Sequence, residues 1–358
     1  MYINFWYPMA LSDEVKDAPI KSQALGQSFA LFRDDEGRAH CLADTCVHRG
    51  GSLGTGTRKG KQGDCIECPY HGWRYNSRGE CVHIPTLRKN AHIPGRARVD
   101  CYPVEERYGL VFAFLGDLPE EERPPILDLQ QWGQEGWRVT SLVYDWGASF
   151  ERVIENGLDA THTEFVHPSA GLQGSFNPDE ILDERLIKTP WGSAMQTDTS
   201  KVQIEHGHHG PAHQWTFLTF RTQGFEGSFM FYSFVRPIDA HSVRRYLFNA
   251  RDFQLTDKMD DELGTTTLAF EKEDRPVIEA MRPSFSPRDT NSELLLPEDE
   301  IMVSYRRFLN DWQARGWHID VDAIKTQSDR KVFCIPGPDR RKHKSWVMDA
   351  IPLLPEDS

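Results

Sequence analysis

Over residues 1–118 hydrophobic positions fall in short runs broken by turn residues, and no long stretch repeats at helical spacing. Ser28–Arg33 alternates, Asp34–Gly37 supplies a turn and Ala39–Ala43 returns, which predicts a hairpin. A second hairpin is predicted around Asn76–Gly79, between Trp73–Tyr75 and Cys81–Ile84. Tyr108–Leu115 reads as a buried strand, and the acidic, proline-rich 116–125 reads as a surface linker. Beyond it the pattern changes. Phe150, Val153, Ile154 and Leu158 recur at helical steps and predict a helix over Ala148–Val166. Trp215–Arg221, Ser228–Arg236 and Val243–Asp252 read as strands, and Thr265–Met281 as a second helix that Pro276 kinks or resets. The expected class is α+β: a small all-β domain over 1–118, then a second domain over 119–358 with a curved antiparallel sheet around helices. Trp215, Phe217, Phe220, Met230 and Tyr232 are expected in its core or lining its pocket.

The 358 residues suffice for two or three domains. The net charge of -13 argues against nucleic acid, whose binders need a cationic face. It is unevenly spread: residues 1–100 carry a net +3 and the remainder -16. This fits either a solvated surface or a basic module that docks an acidic redox partner. No apolar run approaches the roughly 18–20 residues of a membrane span, and Met1–Met9 lacks the cationic lead of a signal peptide, so a cytoplasmic protein is expected. Seven cysteines, an odd number, direct attention to metal binding.

Two loops each offer one thiol and one imidazole: Cys46-Val47-His48 and Cys68-Pro69-Tyr70-His71. Two Cys and two His can close a zinc site, and Cys65-x2-Cys68 with His71 is a further zinc-like set. Structural zinc sites usually pair cysteine with cysteine and histidine with histidine. One of each per loop better suits a [2Fe-2S] cluster with two cysteines on one iron and two histidines on the other. Cys41, Cys65, Cys81, Cys101 and Cys334 read as packing residues.

In the second domain Asn156, Asp159 and His162 sit three apart on one helical face. His167 lies five beyond His162, about 140° around an ideal helix. Pro168 disfavours the α conformation at His167, so a helix end there swings the second imidazole back. A 2-His-1-carboxylate metal site needs one acid more. Asp159 suits a neighbouring role better than ligation, and Glu271, Glu273, Asp274 and Glu279 all remain open. His206, His208, His209 and His213 lie among Gly207, Gly210 and Pro211, which predicts a mobile surface or entrance loop without metal.

Cys46-x-His48 with Cys68-Pro69-Tyr70-His71-Gly72-Trp73 resembles the Rieske motif of the Rieske non-heme iron oxygenases. Asn156-x2-Asp159-x2-His162-x4-His167 is similar to their mononuclear-iron motif. The run 270–279 resembles the ligand segment of the monooxygenase and demethylase branch, and Tyr305–Leu309 extends the likeness. The resemblance implies a [2Fe-2S] cluster on Cys46, His48, Cys68 and His71, and Fe(II) on His162, His167 and Asp274. It also implies that Asp159 bridges a Rieske histidine of a neighbouring subunit, His71, to His162 in a homotrimer, and that Asn156 belongs to the catalytic group.

The implied enzyme is a terminal oxygenase that uses O2 and electrons from NAD(P)H. A separate reductase or ferredoxin would deliver them, since no Gly-rich dinucleotide loop is present. The expected reaction is monooxygenation of a small apolar ring compound, by hydroxylation or O- or N-demethylation. Alternatives are aromatic cis-dihydroxylation and, in another class, a Rieske electron carrier.

Overall fold

The structure is a computed structural model that describes residues 1–61, 63–88, 91–168, 183–198, 202–222, 224–289 and 291–355. It divides into two units, 1–125 with 312–358, and 126–311.

The first unit is β-rich. Leu110–Leu115 is buried at every position because it is flanked on both sides, by Phe5–Leu11 and by Val104–Arg107. Tyr108 and Gly109 form a left-handed turn before it, so the strand begins two residues later than the hydrophobic run suggests. A second sheet runs Ile20–Ala24, Gln27–Arg33, Ala39–Ala43, Cys101–Tyr102, and contains the first expected hairpin. A third, Thr57–Lys59, Cys65–Glu67, Arg74–Asn76, Cys81–His83, contains the second.

The tail was expected in the second domain but belongs to the first unit. Trp312 packs edge-on against Tyr2 and Phe5, the Trp317 carbonyl accepts from the Ile3 amide, and Arg340 pairs with buried Asp100 at 2.7 Å. These are long-range aromatic and ionic contacts that local periodicity does not encode.

The second unit is built on a seven-stranded antiparallel sheet. Its order is Arg138–Trp146, Val243–Arg251, Phe225–Pro237, His213–Thr222, Val202–His209, Gly192–Asp198, Asp183–Thr189. Register places Tyr144, Arg245 and Ser233 on one face, where Arg245 pairs with Glu271 of helix α3 (Asp257–Ala280). Helix α1 (Phe150–Leu158) also packs on the sheet, burying Phe150, Val153, Ile154 and Leu158 at roughly 1.5–3 kcal/mol each. Its other face is buried too, and is ionic: Arg152 and Glu155 join Arg306 of helix α4 (Glu300–Ala314) and Glu293.

Three expectations change here. Helix 148–166 is two helices, because Asp159 is extended and its carboxylate accepts from the Thr161 and His162 amides to start α2 (His162–Val166). Helix α3 runs through Pro276 without ending. Glu271 on Arg245 and Glu279 on the Gly147 amide hold it on either side of the missing donor. His206, His208, His209 and His213 are strand residues, and all but His209 are buried. Of the glycines that suggest a loop, Gly207 lies within the strand, where a Cβ would meet Trp215 at 2.7 Å, and Gly210 makes the tight connection to the next strand.

Among the described residues no helix is long and apolar enough to cross a membrane.

Candidate metal centres

The two Cys-His loops share one hydrogen-bond frame. In the first, the Gly50 amide donates to the Cys46 carbonyl and the Cys46 amide to Gly51; in the second, Gly72 donates to Cys68 and Cys68 to Trp73. Gly50 and Gly72 both adopt positive φ, about 70°, which glycine takes at little cost. A Cβ on Gly51 would meet the Cys68 sulfur at 2.9 Å, so close approach of the loops needs glycine there.

Both thiols are buried and both imidazoles exposed, with the His48 and His71 ring centres 4.5 Å apart. His48 lies flat on Trp73 at 4.6 Å. Burial pushes the Cys46 thiol up, while the Tyr75 hydroxyl, 3.1 Å from its sulfur, opposes that shift.

The spacing of these donors bears on zinc. Among the described residues only His162, His167 and Asp274 bring three ligand atoms within 4.8 Å of one another. No three of Cys46, His48, Cys65, Cys68 and His71 therefore surround a single ion, whose bonds of roughly 2.0–2.3 Å would draw them closer. Two buried sulfurs and two outward imidazoles fit a cluster with two irons. Cys65 instead sits in its strand beside Asp64, and the other four cysteines expected to pack are unpaired, three buried and Cys101 partly so.

The second centre is assembled by the break at Asp159. Turning the chain there brings His162 Nε2 to 3.4 Å from Asp274 Oδ1, and His167 Nε2 reaches the same oxygen at 3.4 Å. His162 Nδ1 is 2.5 Å from the Asp159 carbonyl, and His167 Nδ1 is 3.0 Å from Glu273 Oε2. Each Nδ1 is thus the natural donor, leaving both Nε2 lone pairs aimed at one point. Asn156 Nδ2 donates to Asp274 Oδ1 at 3.2 Å and lies 3.4 Å from His162 Nε2. Burial alone would raise the Asp274 carboxyl, but the facing imidazoles and the Asn156 amide hold it below its ordinary value. Two imidazoles and one carboxylate on one side of a point leave the remaining positions open, which fits a mononuclear iron.

The four acids left open by the sequence separate by partner. Asp274 joins the histidines, Glu273 holds His167 from behind, Glu271 pairs with Arg245, and Glu279 takes the Gly147 amide and Arg275. The partnerships of Glu273 and Tyr75 carry no local signal. The expected aromatic group splits by register: Trp215, Phe217, Met230 and Tyr232 share the face on which Tyr232 meets Gln131. Phe220 lies on the opposite one.

A Rieske [2Fe-2S] domain model matches residues 5–103, and a vanillate O-demethylase oxygenase C-terminal domain model matches residues 146–315. The methylxanthine N1-demethylase NdmA of Pseudomonas putida is 26% identical over 86% of this chain and 88% of its own length. The phenoxybenzoate dioxygenase subunit alpha of Ectopseudomonas oleovorans is 42% identical over 49% of this chain, which spans 45% of that subunit. A crystal structure of dicamba monooxygenase bound to dicamba superimposes with a TM-score of 0.70 at 22% identity, covering 86% of this chain and 96% of the other. With a Rieske domain followed by an oxygenase domain, and donor sets that fit a [2Fe-2S] cluster and a mononuclear iron, the chain belongs to the Rieske non-heme iron oxygenases as a terminal oxygenase.

Proposed function

We propose that this oxygenase monooxygenates a small apolar ring compound, by hydroxylation or by O- or N-demethylation, with electrons from NAD(P)H through a separate reductase or ferredoxin. The observation that supports it most is the convergence of His162, His167 and Asp274 on one point with open positions beside it. In this reading those three residues hold Fe(II), and Cys46, Cys68, His48 and His71 hold the cluster. When bound, the iron supplies oxygen activation and the cluster supplies single electrons.

The chain's own residues set the conditions. Asp159 and Glu273 fix both imidazole tautomers, the one through its carbonyl and the other through its carboxylate. Asn156 orients Asp274 and adds to the effect of the two imidazoles that hold it ionised. The exposed His48 and His71 present the cluster to a partner surface, in this reading a second copy in a cytoplasmic homotrimer whose Asp159 faces His71.

Aromatic cis-dihydroxylation is the second reading, favoured by the similarity to a dioxygenase subunit. Turnover under 18O2 separates them: one labelled oxygen in a phenol, alcohol or aldehyde supports monooxygenation, and two on adjacent ring carbons overturn it. About three iron and two sulfide per chain are expected, and zinc alone would exclude both readings.

A further inference from the structure

One cross-strand row on the sheet face beneath α1 and α3 carries two buried acceptor atoms without a partner among the described residues, separated by an accessible floor. Register places His206, Thr216, Phe231 and Asn249 in one row across four adjacent strands. The end residues are buried, at 6% and 2% exposure, whereas Thr216 and Phe231 between them are only half-buried. The floor is thus more open than its polar ends.

The hydrogen-bond chain fixes which atoms are free. Thr267 donates its hydroxyl proton to the Leu263 carbonyl at 2.8 Å, so its oxygen accepts from Asn249 Nδ2 at 2.9 Å. That sets the amide, and Asn249 Oδ1 has no partner among the described residues. The His206 ring donates to the Leu158 carbonyl, and its Nδ1 likewise has no partner. Burial pushes His206 down to about 4, so near neutral pH the ring is uncharged and Nδ1 carries a lone pair. Both atoms therefore accept and neither donates. Buried polar atoms left unmatched are disfavoured and rare.

The row is also in the right place. Thr267 precedes Asp274 by seven residues, two helical turns, so both project from the same side of α3. Leu158 ends α1 two residues after Asn156. His206 thus meets the last residue of α1 and Asn249 meets α3, the two helices that carry Asn156 and Asp274.

We propose that His206 Nδ1 and Asn249 Oδ1 select the substrate, and that it is an uncharged ring compound with an N–H or O–H donor at each end. This rests on the reading of His162, His167 and Asp274 as the reacting centre. Strands spaced about 4.8 Å apart put the backbones of the two end residues about 14 Å apart, and for side chains held at that spacing two hydrogen bonds of about 2.9 Å leave about 8 Å between the donors. That is the width of a fused bicyclic ring. A carboxylate brings only acceptors and matches neither end.

The test is equilibrium dialysis of the holoprotein, without reductant, against 2,6-dihydroxynaphthalene, 2,6-dimethoxynaphthalene and naphthalene-2,6-dicarboxylate. The diol is expected to bind at least about tenfold more tightly than either other compound. In Asn249→Leu and in His206→Phe that preference should fall to about threefold or less, with visible absorption and iron content unchanged. Equal binding of the three compounds, no saturable binding of the diol, or a preference that survives both substitutions overturns the proposal. Where a variant loses its absorption, the three-compound comparison on the natural protein still decides. No turnover enters the readout, so a lost preference leaves the oxygenase reading standing, and that reading is judged separately by iron and sulfide content.

Discussion

Glu273 Oε2 lies 3.0 Å from His167 Nδ1, on the side of the ring away from Asp274. The carboxylate accepts a hydrogen bond from Nδ1–H, so Nε2 is left as the ligand atom, and it restrains the ring plane. Carboxylates in this position usually change metal affinity about 10–100-fold. Glu273→Ala should weaken Fe(II) binding by that factor while the cluster absorption stays intact, and Glu273→Gln should recover part of it. An unchanged Fe(II) titration in Glu273→Ala would show that the contact is incidental.

Tyr75 acts on the other centre. Its hydroxyl is 3.1 Å from the Cys46 sulfur and donates when that sulfur is a thiolate ligand. A hydrogen bond of about 1 kcal/mol that strengthens as the cluster gains an electron moves the potential upward by some tens of millivolts. Tyr75→Phe should therefore lower the reduction potential by that amount, read by spectroelectrochemical titration. A potential that does not move sinks this role.

Asp159 has two functions that one substitution separates. Its Oδ1 accepts from the Thr161 amide and hydroxyl and from the His162 amide, which holds the turn between α1 and α2. Asp159→Asn keeps an acceptor oxygen there and removes the charge. That variant is expected to retain iron at both centres and lose turnover, measured as reductase-coupled O2 uptake. Normal uptake in Asp159→Asn removes the intersubunit bridge from the proposal.

Stability should depend on pH through buried histidines. Burial pushes His206 and His208 down to about 4, against about 6.5 in an unfolded chain. Between those values the unfolded chain binds protons that the folded chain refuses. Their contribution is complete above pH about 6.5 and is lost as the pH falls towards about 4, at about 3 kcal/mol each as an upper bound. The urea midpoint should fall steadily from pH 7 to pH 4.5, and less steeply in His208→Gln. A flat profile over that interval contradicts the burial.

Arg306 sits 2.6 Å from both Glu155 and Glu293, and Arg152 completes the group. Removing one cation leaves buried carboxylates uncompensated, at about 3–5 kcal/mol. Arg306→Ala is expected to unfold at a lower denaturant concentration by that margin, and to loosen α1, which carries Asn156. A loss under about 1 kcal/mol would mean that water enters the network freely.

The metal-ligand candidates were legible because fixed chemistry recurs at fixed spacing: Cys-x-His, Cys-x2-His and His-x4-His-Pro are visible in the chain. The hairpins were legible because alternation and turn residues are local signals. What escaped depends on contacts far apart in sequence. Nothing near Asp159 says that its carboxylate will cap α2 rather than let one helix run on. The glycines beside His206 and His213 look like loop residues until the neighbouring strands are known. Pro276 breaks isolated helices, yet α3 continues because Arg245 and Gly147, distant in the chain, hold it.

Because residues 312–358 complete the unit begun by residues 1–125, the second unit is an insertion within the first. During synthesis Tyr2 and Phe5 wait for Trp312, and Asp100 for Arg340, until the whole intervening sheet has been made. A fragment stopping at residue 118 would lack Trp312 and Arg340, so the Tyr2 and Phe5 rings and the buried Asp100 carboxylate would lose these packing and ionic partners.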